Sequence, residues 1–104
     1  MKVYGLKACD TTRAASKALG VEVLDVRSVP LEAGELVRFF EAFGDALVNK
    51  RSTTWRGLSE AERAGDPLAL LAEHPTLMKR PVIEADGQLY LGWSKDVQGA
   101  LLGS

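Results

Sequence analysis

The first quarter of the chain predicts a strand, a helix and a second strand, in that order. Lys2–Tyr4 is short and β-prone. The alanine-rich segment Cys9–Gly20 favours a helix, for which Asp10 and Thr11 are both suitable N-caps. Val21–Val26 then has the composition of a strand. This order predicts a parallel strand–helix–strand unit, with the cysteine of the second segment at the first crossover.

The middle of the chain predicts helices only. Pro30 introduces an amphipathic helix, Ser59 with Glu62 forms a capping box, and Asp66-Pro67 is typical of a helix start. The predicted inner face of the amphipathic helix consists of apolar residues at helical spacing: Leu36, Val37, Phe39, Phe40 and Phe43. No strand pattern interrupts this segment.

The last quarter predicts a hairpin and a closing helix. Pro81–Ala85 and Gln88–Leu91 flank Asp86-Gly87, a strong signal for a two-residue turn. Ser94 is suitably placed to cap the final helix. The whole order predicts one α/β domain over residues 1–104, with a mixed sheet and helices on both of its faces.

Charge and residue counts exclude several classes of protein. Thirteen Lys and Arg against fourteen Asp and Glu give a net charge of −1, so we expect no nucleic-acid partner. No apolar run approaches the ~20 residues of a membrane span, and the N-terminus does not resemble a signal peptide. With Cys9 as the one cysteine and His74 as the one histidine, we expect neither a disulfide nor a metal site. A lone thiol without a secretory signal indicates the cytoplasm.

Cys9 is the first candidate for chemistry. A cysteine between a strand and a helix start meets free N–H groups and the positive end of the helix dipole, which stabilise a thiolate or hold an anion. Lys7 and Arg13 flank it and would add favourable charge. The alternative is a small buried hydrophobic residue. Thr12 stands where a Cys-x-x-Cys motif would have its second sulfur, so a redox cycle would need a thiol from another molecule.

Two further segments could bind anions. Proline at the start of a strand is a common place for a cis peptide bond, so Pro81 is a candidate, and Arg80 before it would be a permanently charged donor. The stretch Asn49–Arg56 holds three cations and Trp55 without any acid. It could form an anion-binding loop or a solvated surface turn. His74 lies at a predicted helix end, where a capping role is expected rather than catalysis.

The chain as a whole resembles the ArsC/Spx/YffB group, the arsenate-reductase-like branch of the thioredoxin superfamily. The resemblance is collinear and rests on four blocks: Tyr4-Gly5 with Cys9–Ala14, Val48–Arg56, His74–Val82 and Leu91–Trp93. It implies a thioredoxin-like mixed sheet of about four strands, with an all-helical insertion, roughly residues 31–74, between the second and third strands.

The resemblance also implies roles for single residues. Cys9 matches the family's nucleophile and Arg80 its anion-binding arginine. Of two further arginines expected in arsenate reductases, one would fall near Asn49, where Arg51 or its neighbouring lysine could substitute, and none follows the last strand.

The middle and closing blocks are most similar to YffB-type proteins. They imply a glutathione-dependent thiol oxidoreductase with no bound cofactor, served by glutathione or a glutaredoxin-type thiol. We expect a monomer. The alternatives are an arsenate reductase coupled to glutathione and glutaredoxin, and a non-catalytic Spx-like adaptor that binds the transcription machinery.

Overall fold

The computed structural model describes residues 1–102 and contains a four-stranded sheet and six α-helices within that range. The elements are β1 Lys2–Gly5, α1 Asp10–Leu19, β2 Val23–Asp25, α2 Ala33–Phe43, α3 Thr53–Arg56, α4 Glu60–Arg63, α5 Pro67–Glu73, β3 Val82–Ala85, β4 Gln88–Leu91 and α6 Lys95–Leu102. Short 3₁₀ helices cover Gly44–Leu47 and Pro75–Leu77. The chain divides into two compact units, one formed by residues 1–29 with the chain from Arg80 onward and the other by residues 30–79.

The sheet belongs to the first unit and has the strand order β2-β1-β3-β4. Strand β1 runs parallel to β2 and antiparallel to β3, and β3 pairs antiparallel with β4. The crossover from β1 to β2 is helix α1, and all the helices of the second unit lie in sequence between β2 and β3. The predicted thioredoxin-like mixed sheet with its helical insertion is confirmed.

One apolar core holds the first unit together. Val3 of β1, Ala15 of α1 and Ile83 of β3 have no exposed surface. Around them pack half-buried apolar side chains: Leu19, Val21, Tyr90, Trp93, Val97 and Leu101. Because these come from α1, α6 and both hairpin strands, burying them fixes the start of α1 against the sheet.

The N-terminus of α1 differs from the prediction. Its N-cap is Cys9, whose backbone is extended (φ −86°, ψ 122°), and neither Asp10 nor Thr11 takes that position. The carboxylate of Asp10 instead forms an ion pair with Arg13, one turn further along. The helix ends as predicted at Gly20, whose φ of +69° suits glycine.

The β3–β4 hairpin and the last helix follow the sequence signals. Asp86 and Gly87 both have positive φ (+51° and +78°), as a type I′ turn requires, and Ala85 pairs with Gln88 across the turn. The hydroxyl of Ser94 accepts the Val97 N–H at 3.3 Å and so caps α6.

In the second unit, helices α2 and α5 pack together. Leu36 and Phe39 are buried on α2, but Val37 is 40% exposed, so its predicted place on the inner face is wrong. Val37 follows Leu36 directly, and residues one apart on a helix point about 100° away from each other. The predicted capping box of Ser59 and Glu62 is confirmed at the start of α4.

Candidate active site

Cys9 lies at the point where β1 gives way to α1. Its N–H donates to the Leu6 carbonyl at 2.9 Å, and its own carbonyl accepts the Arg13 N–H at 3.0 Å as the first bond of the helix. The side chain is partly exposed. As the N-cap residue, Cys9 holds its sulfur beside the N–H groups that the first helical turn leaves without partners.

Thr12 is the residue of α1 that acts most directly on this sulfur. It occupies the third helical position, where the N–H of a helix points back to the N-cap side chain. Its side chain is fully buried, and its hydroxyl makes no regular hydrogen bond with any other residue of the described chain. The neutral thiol makes no regular capping bond. The thiolate is a far better acceptor, and both the hydroxyl and the N–H of Thr12 stabilise it.

Gly5 makes room for Thr12. A Cβ atom at position 5 would lie 2.4 Å from the Thr12 hydroxyl oxygen and 2.6 Å from its methyl carbon. Both distances are well inside normal contact, so a larger residue in β1 would push the start of α1 away. Gly5, the last residue of β1, thereby allows the start of α1 to pack closely against the strand.

Arg80 comes to the same sulfur from the far end of the chain. It is half-buried and precedes Pro81 in a cis peptide bond at the start of β3. The Pro81 carbonyl accepts the Gly92 N–H at 2.8 Å, which ties this turn to the end of β4. The Arg80 guanidinium lowers the pKa of the Cys9 thiol through hydrogen bonding and through its positive charge.

The balance of these effects favours the thiolate. Partial burial raises the pKa of the Cys9 thiol, whereas the hydrogen bonds from Thr12, the hydrogen bond from Arg80 and the Arg80 charge lower it. The net result is a pKa below the ordinary value for cysteine. A lowered pKa increases the share of the nucleophilic form at neutral pH.

Comparison with known proteins agrees with this arrangement. The model of the ArsC family matches residues 4–101. The chain belongs to the ArsC family. It is 42% identical to an uncharacterized protein of Haemophilus influenzae in an alignment 109 positions long, gaps included, that covers 94% of this chain and 96% of that one.

Two solved structures of this ArsC fold are similar over nearly the whole chain. A protein called YffB is 32% identical with a TM-score of 0.83, and the match covers 96% of each chain. An arsenate reductase (ArsC) related protein from Brucella melitensis is 33% identical with a TM-score of 0.70, covering 98% of this chain and 95% of that one. The predicted family is therefore confirmed.

The two cations that flank Cys9 in this ArsC-family chain are not among the groups that lower the pKa of its thiol. The Lys7 side chain is exposed, and its backbone N–H donates to a carboxylate oxygen of Asp25 at 3.0 Å. Arg13 is exposed and paired with Asp10. The groups that lower the pKa of the Cys9 thiol are Thr12 and Arg80. A direct role for Lys7 and Arg13 in binding an anion stays a prediction.

Asn49 and Arg51 belong to the second unit. The Asn49 side-chain oxygen accepts the Arg51 N–H at 3.1 Å, and its backbone N–H donates to the Leu77 carbonyl at 2.9 Å. Asn49 therefore shapes the turn that leads into α3. The anion-binding role of Asn49 and Arg51 stays a prediction.

His74 caps the C-terminal end of α5, with its Nε2 4.0 Å from a Glu73 carboxylate oxygen.

Two residues with a direct bearing on the site escaped the sequence reasoning. The sequence places Thr12 only where a second cysteine would stand, and Gly5 only in a block shared with the family. Placing the N-cap at Cys9 would have identified Thr12, because the third helical residue faces the cap. No sequence signal identifies Gly5, whose importance comes from a contact between two separate elements.

Within residues 1–102, no three His, Cys, Asp or Glu side chains group closely enough to hold a metal ion. No helix in the same range is long and apolar enough to cross a membrane.

Proposed function

We propose that this ArsC-family protein is a thiol oxidoreductase that uses Cys9 as its single nucleophile and glutathione as its reducing thiol. One observation carries the proposal: Cys9 is the N-cap of α1, where Thr12 and Arg80 lower the pKa of its thiol. All three come from one chain, so a monomer suffices. The names of two similar proteins, YffB and an arsenate reductase (ArsC) related protein, agree with this class of chemistry.

The reaction that suits this geometry is the reduction of a mixed disulfide between a substrate thiol and glutathione. The Cys9 thiolate attacks the glutathione sulfur, forming a Cys9–glutathione disulfide and releasing the substrate as a thiolate, which takes up a proton. A second glutathione thiolate then attacks the glutathione sulfur bound to Cys9. The products are oxidised glutathione and the Cys9 thiolate, so two electrons pass from glutathione to the substrate.

The second step needs an external thiol because the chain has one cysteine. Thr12 occupies the position that would hold a resolving sulfur, and its hydroxyl cannot form a disulfide. It can stabilise Cys9 when Cys9 departs as a thiolate. Glutathione, or a glutaredoxin-type thiol, is therefore the reductant, and we place the reaction in the cytoplasm, where a lone thiol stays reduced.

Arsenate reduction is the second candidate. Arg80 and the start of α1 together offer positive charge and N–H donors to an oxyanion beside Cys9. The thiolate would displace water from arsenate, and glutathione attack on the Cys9 sulfur would release arsenite and leave the Cys9–glutathione disulfide. Both candidates pass through that same disulfide, so a coupled assay with arsenate against a glutathionylated peptide separates them.

The test of the proposed function is the reactivity of Cys9. Iodoacetamide alkylation rates across pH should give a thiol pKa below the ordinary value, and oxidised glutathione should leave one glutathione adduct by mass spectrometry. Cys9→Ser is the control and should take up neither reagent. A thiol that titrates at or above the ordinary cysteine value, or that forms no adduct, would falsify the proposal.

A further inference from the structure

Two cations of the second unit lie against the Trp55 ring, and two more are close to it in sequence. The Lys50 Nζ and the Arg63 Cζ each lie 5.8 Å from the centroid of the Trp55 ring. Arg51 precedes α3, Arg56 is its last residue, and both are exposed. We call these four residues with Trp55 the cationic surface.

Two of the three arginines of the cationic surface, Arg56 and Arg63, donate hydrogen bonds to backbone carbonyls. The Arg56 Nη2 donates to the Arg51 carbonyl at 3.0 Å. The Arg63 Nε donates to the Trp55 carbonyl at 3.2 Å, and its Nη2 donates to the Arg56 carbonyl at 3.0 Å. These bonds order the side chains and leave their positive charge in place. A partner would bind them with less loss of conformational entropy than it would bind free side chains.

None of these four charges forms a salt bridge with a carboxylate anywhere in residues 1–102. The segment 49–59 contains no acid at all. The nearest acidic residues along the chain are Glu60 and Glu62, and the Glu62 carboxylate accepts the Ser59 N–H at 2.9 Å within its capping box. The cationic surface is thus a local excess of positive charge in a protein whose net charge is −1.

We propose that the cationic surface docks an acidic segment of a partner protein, a short stretch that carries several Asp or Glu side chains. Arginine guanidinium groups with N–H donors to spare match carboxylates in charge and shape. Nucleic acid suits the surface less well. The Trp55 ring already has two cations against it, which hinders base stacking, and the chain as a whole is slightly acidic. This surface goes beyond the thiol chemistry and requires no part of Cys9.

The test is a titration of the ¹⁵N-labelled protein with a synthetic peptide of alternating acidic and small residues. Its matched control peptide has Asn and Gln in place of Asp and Glu. The two tryptophans serve as internal reporters, because Trp93 packs in the core of the first unit. The Trp55 indole resonance and the amides of residues 50–56 should shift with the acidic peptide alone, while the Trp93 indole stays in place. Rising salt should weaken the binding.

Two triple variants that each remove three positive charges distinguish binding at the cationic surface from nonspecific electrostatic attraction of the peptide. Lys50→Gln/Arg51→Gln/Arg56→Gln should lower the affinity about tenfold, as expected for the loss of three exposed ion pairs. Lys2→Gln/Lys17→Gln/Lys95→Gln removes the same charge from exposed positions of the first unit and should lower it less than about twofold. Cys9→Ser should bind like the wild type, which separates this result from that of the proposed reaction.

Three outcomes would overturn the proposal. The first is an equal loss of affinity in both triple variants, and the second is equal binding of the neutral peptide. The third is tighter binding of a single-stranded oligonucleotide than of the acidic peptide at the same salt concentration, which would assign the surface to nucleic acid.

Discussion

Gly5 and Thr12 are in such close contact that position 5 has no space for a side chain: a Cβ atom there would lie 2.4 Å from the Thr12 hydroxyl oxygen. We expect Gly5→Ala to destabilise the fold by ~1–3 kcal/mol, the usual range for overpacking a core. It should also slow Cys9 alkylation at neutral pH, because Thr12 must move away from the sulfur. Urea unfolding and iodoacetamide rates measure the two effects.

Gly34→Ala is the matched control for that substitution. Gly34 lies in α2, and no atom approaches within 4 Å of the position its Cβ would take. Alanine there should stabilise the helix by up to ~1 kcal/mol. If Gly5→Ala were as stable as the wild type, the contact between β1 and α1 would not be the constraint described here.

Thr12→Val should lower the reactivity of Cys9 without lowering the stability of the fold. Valine keeps the shape of the side chain but removes a buried hydroxyl that has no regular partner in the neutral state, so stability should hold or rise. The pKa of Cys9 should rise, and alkylation at neutral pH should slow by about tenfold, the effect of losing one hydrogen bond to a charged group. Thr11→Val, at the exposed neighbouring position, should leave the alkylation rate unchanged.

Arg80→Gln should raise the pKa of Cys9, because both a hydrogen bond and a positive charge are lost from the thiolate. Formation of the glutathione adduct at neutral pH should slow by about tenfold or more, and Arg80→Lys should recover part of it by restoring the charge. Lys17→Gln removes an equal charge from an exposed position of α1 that has no predicted role, and should have little effect. An equal loss in both variants would point to a general charge effect.

Thr12→Cys should convert the site into a dithiol. Residues 9 and 12 occupy the N-cap and third positions of α1, whose Cα separation falls within the ~4.4–6.8 Å that a disulfide requires. Mild oxidation should form an intramolecular disulfide, and the glutathione adduct should become transient, as mass spectrometry and thiol titration would show. Thr11→Cys is the control. A stable glutathione adduct on Thr12→Cys would mean that the two side chains do not face each other.

Asp25 should make stability depend on pH. Hydrogen bonds from the Lys7 N–H first, and then from the N–H groups of Ser28 and Arg27, hold the pKa of this carboxyl below its ordinary value. A carboxyl with a lowered pKa in the folded state stabilises the fold above its unfolded pKa of ~3.9, and this contribution is lost as pH falls through the folded value.

The measurement for Asp25 is urea unfolding of Asp25→Asn and the wild type from neutral to acidic pH. The variant should be less stable at neutral pH, and the difference should shrink below about pH 4. Glu41→Gln, an exposed carboxylate that accepts no hydrogen bond within residues 1–102, should show no such convergence. A difference between Asp25→Asn and the wild type that is constant with pH would contradict the prediction.

Local signals in the sequence predicted most of the fold. The Asp86-Gly87 turn, the Ser59 capping box and the Ser94 cap depend on residues a few positions apart, and all three are present as predicted. The end of β2 was harder to place. The strand pattern extends to Val26, but Asp25 uses its carboxylate to bind the loop that follows, and the strand ends there.

The candidate site could be predicted only in part. Cys9 and Arg80 were identified from their positions beside a helix start and a proline. The supporting role of Thr12 was missed because Asp10 and Thr11 are stronger N-caps by residue type. Asp10 is paired with Arg13 instead, the N-cap is Cys9, and Thr12 packs against Gly5. That contact joins two elements, and no local pattern reports it.

The first unit is assembled from both ends of the chain, and this has a consequence for when Cys9 becomes reactive. During synthesis Cys9 emerges early, whereas Arg80 and strands β3 and β4 follow only after the whole of residues 30–79. Until β3 pairs with β1, the thiol lacks the Arg80 guanidinium, one of the groups that lower its pKa. The nascent chain therefore carries a comparatively inert thiol, and Cys9 gains its full reactivity with the completion of folding.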